Sequence, residues 1–250
     1  MTGPDFKDHF SARAAEYAAS RPAYPPELGA YLAETAPGRS LALDCGCGSG
    51  QLSLLLAAHF DTVIATDASA QQIAAAKPHP RVTYLVAPAE ASGLDPESAD
   101  LVVAAQAAHW FDLERFYEEV RRVAKRRALL ALVTYGIFHV EGDAEPIIQA
   151  FYRTTLAGYW PPERRHVEDS YRSLPFPFAE LPAPDLMIER RWSRDQFLAY
   201  VDTWSAVKQA EKALGRRIVE DFAKALAQVW FDGQTLTVRW PITVRAGHKD

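Results

Sequence analysis

The sequence predicts an α/β fold built on a doubly wound, mostly parallel sheet of seven strands. Three observations predict it. Residues 41 to 50, Leu-Ala-Leu-Asp-Cys-Gly-Cys-Gly-Ser-Gly, read as a buried strand, a tight glycine turn and the entry to a helix at Gln51. Thr62-Val-Ile-Ala-Thr-Asp67 is a β-branched run that ends in an acid, and Asp67 stands 21 residues after Gly46. Strand and helix signals then alternate as far as Thr134, the pacing of parallel strands joined by crossover helices.

The elements follow in order. Phe10, Ala14, Tyr17 and Ala18 share one face of a helix over 6–19, which Arg21-Pro-Ala-Tyr-Pro-Pro breaks. Pro26 opens a helix over 27–35, and Pro37-Gly38 closes it. Strand 41–44 leads into helix 51–58. Strand 62–67 leads into helix 69–76, with Ser69 suited to the N-cap and Pro78 as the stop. Val82 to Val86 is a third strand, and the unbroken apolar run Leu101 to Ala105 is a strand buried on both faces. Leu113 to Val123 is a helix with Phe116, Val120 and Val123 inward, and Leu129 to Thr134 is the fifth strand. There the alternation stops. Residues 158–184 hold Pro161, Pro162, Pro175, Pro177, Pro182 and Pro184 among aromatics, and read as an insertion over the carboxyl edge of the sheet, where ligands bind in such folds. A strand over 186–192, a helix over 194–201 and a longer helical stretch over 206–229, interrupted at Gly215, come next. The closing strand, 235–246, alternates Leu236, Val238 and Trp240, and Pro241 within it calls for a bulge or an unpaired edge position.

Composition narrows the function. A chain of 250 residues suits one α/β domain with an insertion, and 48% apolar residues supply a core without covalent staples. A net charge of −5 with no basic patch argues against a nucleic-acid partner. The cations from Arg121 to Arg127 read as the C-terminal end of a helix, where they offset the macrodipole. Cys45 and Cys47 lie inside the glycine turn, too close together for an ordinary disulfide and too few for a metal site. No apolar leader opens the chain and no run has the length of a membrane span, so the expectation is a cytoplasmic protein without metal or membrane partner. The oligomeric state stays open.

Glycine spacing bears on the ligand. A dinucleotide fingerprint starting at Gly46 needs a third glycine at 51, where the chain has Gln51. The series is instead Gly46, Gly48 and Gly50, preceded by Asp44. Asp67 has two readings, acceptor for both hydroxyls of a ribose or cap for the helix that follows.

These segments resemble the class I S-adenosylmethionine (SAM)-dependent methyltransferases. The narrower resemblance is to the small-molecule group around the trans-aconitate methyltransferases. It rests on Phe10, Tyr17 and Arg21-Pro-Ala-Tyr24-Pro, on Asp44 to Gly50, on Thr66-Asp67-Ala-Ser69 and on Ala87-Pro-Ala-Glu90. Ala105-Gln-Ala-Ala-His-Trp-Phe-Asp112 is the most specific segment, and Trp160-Pro161 and Trp204-Ser205-Ala206 complete the set. The resemblance implies a Rossmann-like methyltransferase fold, SAM as cofactor and a small-molecule acceptor, with a lean toward a carboxylate oxygen. It divides a single domain, 1–250, into N-terminal capping helices (1–36), a SAM-binding core (37–135), a substrate-side insertion with helices (140–230) and the closing strand. It implies SAM contacts for Tyr17 and Arg21, for Asp44, Gly46, Gly48 and Gly50, for Asp67 and Ala68, for Ala89 and Glu90, and for Gln106 and Ala107. One departure stands out: such enzymes have Pro-Gly-Gly or similar before the fifth strand, and this chain has Lys125-Arg126-Arg127-Ala128.

His109 is the candidate for catalysis. Its imidazole suits a general base or an orienting group, and equally a structural bond to backbone. Trp110 and Phe111 wall the pocket or anchor the helix at 113. Arg164, Arg165 and His166 either bind an acidic substrate through forked hydrogen bonds or form a solvated cluster with Glu163 and Glu168. Tyr159, Trp160, Phe176 and Phe178 line a substrate wall or pack the insertion, and Trp204 reads as core within a helix. Other functions fit the same motifs: a SAM-binding regulator without turnover, or a C- or O-methyltransferase of a neutral hydroxylated metabolite. Gln51 counts against a nicotinamide oxidoreductase. The lack of an Asn-Pro-Pro-Tyr-like segment after the fourth strand counts against a nucleic-acid substrate.

Overall fold

A computed structural model of the chain describes residues 23–250. The helix expected over 6–19, with Tyr17 and Arg21, lies outside the described residues. The first half runs α1 (Pro26–Thr35), β1 (Leu41–Cys45), α2 (Gln51–Leu56), β2 (Thr62–Asp67), α3 (Ala70–Ala74), β3 (Val82–Val86), β4 (Ala99–Ala105), α4 (Leu113–Val123) and β5 (Ala124–Tyr135). The second half runs β6 (His139–Val140), α5 (Ala144–Ala150), α6 (Arg164–Glu168), β7 (Leu186–Ser193), α7 (Arg194–Val201), α8 (Ser205–Leu214), α9 (Arg217–Ala227) and β8 (Thr235–His248). No helix among the described residues is long and apolar enough to cross a membrane.

The sheet has eight strands in the order β3-β2-β1-β4-β5-β8-β6, with β7 also on β8. β3 through β5 are parallel, and β8 runs antiparallel to β5, β6 and β7. Side chains alternate across the central strands, as period-two geometry requires. Ala42, Leu101, Val103, Leu129, Ala131 and Val133 face one core with α1 and α2. Leu43, Val102, Ala104, Leu130 and Leu132 face the other with Phe116, Val120 and Val123 of α4. Burial on both faces explains why β4 reads as one apolar run.

The eighth strand, β6, is only two residues long, too short to leave a periodic signal. Arg121 and Arg122 do sit in the last turn of α4. Lys125 does not: it belongs to β5 and reaches across to Asp100 (2.8 Å) and Ser40 (2.6 Å). The segment expected as a turn before the fifth strand lies within β5, where the pairing with β4 is irregular and Arg127 takes a left-handed φ of 62°. Pro241 lies between the β5 pairing, which ends at Tyr135 with Ile242, and the β6 pairing, which begins at His139 with Arg239. On that edge its missing N–H interrupts nothing, and on the other it opposes Met187. The helical stretch breaks at Gly215, φ 82°, as expected. Trp204 precedes α8 as its N-cap rather than lying within it.

Candidate active site

The loops that leave the carboxyl ends of the parallel strands converge where the strand order reverses, between β1 and β4. Doubly wound sheets bind ligands at that point. They enclose a cavity of about 910 Å³, whose walls come from every one of these loops and from the insertion.

The glycine turn after β1 does three different jobs. A Cβ added at Gly46 would sit 2.6 Å from the Ala107 Cβ, so this glycine lets the β1 and β4 loops touch. A Cβ at Gly50 would collide with the Tyr84 hydroxyl, so this glycine packs α2 on β3 and does not line the cavity. Gly48, φ 56°, meets nothing nearer than Gln72 Oε1 at 3.8 Å. Bare backbone there faces open cavity.

Acids surround the turn. Asp44 is buried at the end of β1, and its Oδ2 accepts from the Ser53 hydroxyl at 2.6 Å. Asp44 lines the cavity, and its Oδ1 is buried without a hydrogen-bond partner. Burial, with Asp67 nearby, pushes its carboxyl up to about 7. Asp67 accepts from the Gly48 N–H (2.9 Å) and the Ser69 N–H (2.8 Å), tying the turn to the end of β2. The helix cap itself is Ser69, whose hydroxyl accepts from Gln72 N. Ala68 and Ala89 line the cavity, as does Glu90, which holds the Asp112 N–H at 2.9 Å.

The β4 loop carries a strained residue. Gln106 takes φ 55°, and its side chain turns back on β5, donating to Tyr135 O (2.9 Å) and accepting from Thr134 (3.1 Å). Backbone strain of this kind concentrates at functional sites. Ala107, His109 and Trp110 follow on the cavity wall. His109 Nδ1 lies 2.7 Å from the hydroxyl of Tyr171, a residue the sequence reading missed. Trp110 packs on His109, while Phe111 packs on Phe116 and anchors α4.

The cationic cluster divides. Arg164 lines the cavity, its Nε donating to Tyr152 Oη (2.9 Å) and its guanidinium lying over Trp160 (5.1 Å). Among the described residues, neither terminal nitrogen of Arg164 has a hydrogen-bond partner. Arg165 is exposed on the outer surface, and His166 bonds Ser173 at 2.7 Å. Neither reaches the cavity, because a helix as short as α6 presents only one residue to it. Tyr159 stops short of it as well. Phe176 and Phe178 pack the insertion against Tyr117 instead of a ligand. Phe138, Tyr152, Trp160, Tyr200 and Trp204 build an aromatic wall opposite the glycine turn.

Residues 43–132 match the family model described as a methyltransferase domain. A Dictyostelium discoideum protein assigned as a methyltransferase is 30% identical over the full length of both chains. The chain belongs to the class I SAM-dependent methyltransferases. A solved structure from Anaeromyxobacter dehalogenans, assigned as a type II methyltransferase, is 52% identical. It superposes with a TM-score of 0.86 over 91% of this chain and 97% of that one. A Saccharomyces cerevisiae protein assigned as a SAM-dependent methyltransferase is 30% identical over 48% of this chain and 45% of its own.

The residues fit the cofactor of this methyltransferase. SAM carries an ammonium, and Asp44 Oδ1 is a buried acceptor that lacks a donor. It carries a ribose, and Asp67 stands at the end of β2. It needs close approach to backbone, and Gly48 leaves that space open. The cavity volume falls in the range of small-ligand sites.

Proposed function

We propose that this methyltransferase moves the methyl group of SAM to a carboxylate oxygen of a small, partly apolar acid. The observation that carries the reading is Arg164, a guanidinium with unpaired terminal nitrogens set into an aromatic cavity wall. In this reading residues 37–135 bind the cofactor and residues 140–230 select the substrate. SAM supplies an electrophilic methyl carbon on a sulfonium. Asp44 holds the ammonium of the cofactor, Asp67 its ribose, and Ala68, Ala89 and Glu90 border the adenine. Gly46 and Gly48 give it backbone, and Gln106 and Ala107 shape the floor beside the reacting group. Gly50 acts indirectly, through Tyr84. Arg164 and His109 orient the acceptor, and Trp110, Trp160 and the rings around them exclude water. A carboxylate is ionised at neutral pH, so positioning and desolvation supply the catalysis without a base.

Arg164→Gln should raise KM for a carboxylate acceptor roughly tenfold to hundredfold, the worth of a hydrogen bond to a charged group. Removing a contact equal in ground and transition states leaves kcat near wild type. Added salt should reproduce part of the loss. Arg165→Gln should change neither constant, because that side chain is exposed and outside the cavity. Steady-state kinetics with SAM saturating makes the comparison. Wild-type KM in both variants would remove the carboxylate anchor.

A further inference from the structure

Tyr171 is fully buried and sits in an unusual stretch of backbone. Ser170 and Tyr171 both take left-handed φ of 61°, a conformation non-glycine residues hold only when their surroundings force it. Here three contacts do so. The Tyr171 N–H donates to His166 O at 2.7 Å, and the Arg245 guanidinium donates to the carbonyls of Tyr171 and Leu174, each at 2.7 Å. Arg245 is itself held by Glu180 at 2.6 Å. The result is a phenol aimed at His109 Nδ1, 2.7 Å away.

We propose that Tyr171 is a positioning residue that fixes the neutral His109 ring with its hydrogen on Nε2, making His109 a hydrogen-bond donor to an anionic acceptor and not a base. The inference rests on the carboxylate reading for its functional meaning, but its structural content stands on these atoms alone. Burial keeps the phenol protonated, and a buried O–H needs an acceptor. Two stand beside it: His109 Nδ1 and the Thr134 hydroxyl. Thr134 gives its own proton to Gln106 Oε1, whose orientation is set by the bond from Gln106 Nε2 to Tyr135 O. That leaves an alcohol oxygen competing with an imidazole nitrogen, and the nitrogen is far the stronger base. The phenol therefore donates to Nδ1, and a neutral imidazole has only one N–H, on Nε2. A ring in this state cannot take a proton from a hydroxyl or a carbon acid through Nε2. It can hold a carboxylate beside Arg164. The site then discriminates against neutral acceptors, which need a base, and favours acceptors that arrive ionised.

The test is the tautomer of His109, read by long-range proton–nitrogen correlation NMR on the 15N-labelled full chain. His109→Gln assigns the signals. The expected result at neutral to mildly alkaline pH is an unprotonated Nδ1 and a protonated Nε2. Tyr171→Phe should move the ring to a mixture of the two. Thr134→Val should leave it unchanged, since that hydroxyl is not where the phenol's proton goes. This second variant keeps the test decisive if Tyr171→Phe folds poorly. With a carboxylic acid acceptor, Tyr171→Phe should raise KM roughly twofold to tenfold, as loss of one oriented hydrogen bond does. A protonated Nδ1 in the wild type, or a tautomer that changes in Thr134→Val, overturns the proposal and makes His109 a base. Turnover of a neutral acceptor with the expected tautomer in place would instead defeat the carboxylate reading and leave the assignment of Tyr171 standing.

Discussion

Gly48→Val should weaken SAM binding by roughly 100-fold or more, about 2.8 kcal/mol, while the protein still folds. The side chain would point into the cavity, where its nearest neighbour in the protein is Gln72 Oε1 at 3.8 Å from the added Cβ. It therefore takes space from the ligand and not from the core. Its cost to the fold is the left-handed backbone, φ 56°, which a β-branched residue resists by about 1–2 kcal/mol. The other two glycines behave differently. At Gly46 a Cβ meets Ala107 and Phe111, and at Gly50 it meets Tyr84, so substitution there damages packing first. Calorimetric titration with SAM, alongside a thermal melt, separates the two effects. A folded Gly48→Val protein with wild-type SAM affinity would show that the turn does not touch the cofactor.

Asp44→Asn should cost SAM affinity about 2–5 kcal/mol, the range for truncating one partner of a buried charge pair. It should also remove a pH dependence. The folded-state pKa of Asp44, about 7, lies above the ordinary aspartate value of 3.8, so the fold favours the protonated carboxyl. Its contribution to stability is present below 3.8 and is lost as pH rises through about 7. The wild-type unfolding free energy should carry that decline, and the Asn variant should not. SAM should reverse the preference, because an ammonium placed beside Oδ1 would stabilise the carboxylate. Wild-type affinity should then fall by up to roughly tenfold per pH unit below about 7, with proton release on binding, and the variant should show neither. Titration in two buffers of different ionisation enthalpy reads the proton directly. Equal proton release in both proteins would move the ammonium away from Asp44.

Local chemistry was legible in the sequence and long-range chemistry was not. Asp44, the glycine turn and Asp67 could be found because strand, turn and helix fix their spacing within one continuous segment. Helices such as Leu113–Val123 and Arg194–Val201 carry their own apolar period and caps. Gly50 shares the glycine turn with Gly46 and Gly48, but the neighbour that requires a glycine there, Tyr84, is in another strand. Lys125 looked like a helix end because its partners, Ser40 and Asp100, are remote in sequence. Tyr171 left no trace, since nothing in Asp-Ser-Tyr-Arg announces two left-handed residues or a histidine 62 positions upstream. The insertion could be placed at the cavity from its prolines and aromatics, but which cation turned inward depended on the short helix α6.

Methyl transfer to a carboxylate, as proposed, would leave its signature in the product. The full chain is incubated with SAM labelled in its methyl group and with small aromatic and aliphatic acids, each paired with its neutral alcohol or amide. S-adenosylhomocysteine release and product mass are followed. Label is expected in a methyl ester, returned as methanol by mild alkali, from one or more acids and from none of the neutral partners. Alkali-stable label on a neutral partner, with the acids inert, would rule out a carboxylate acceptor.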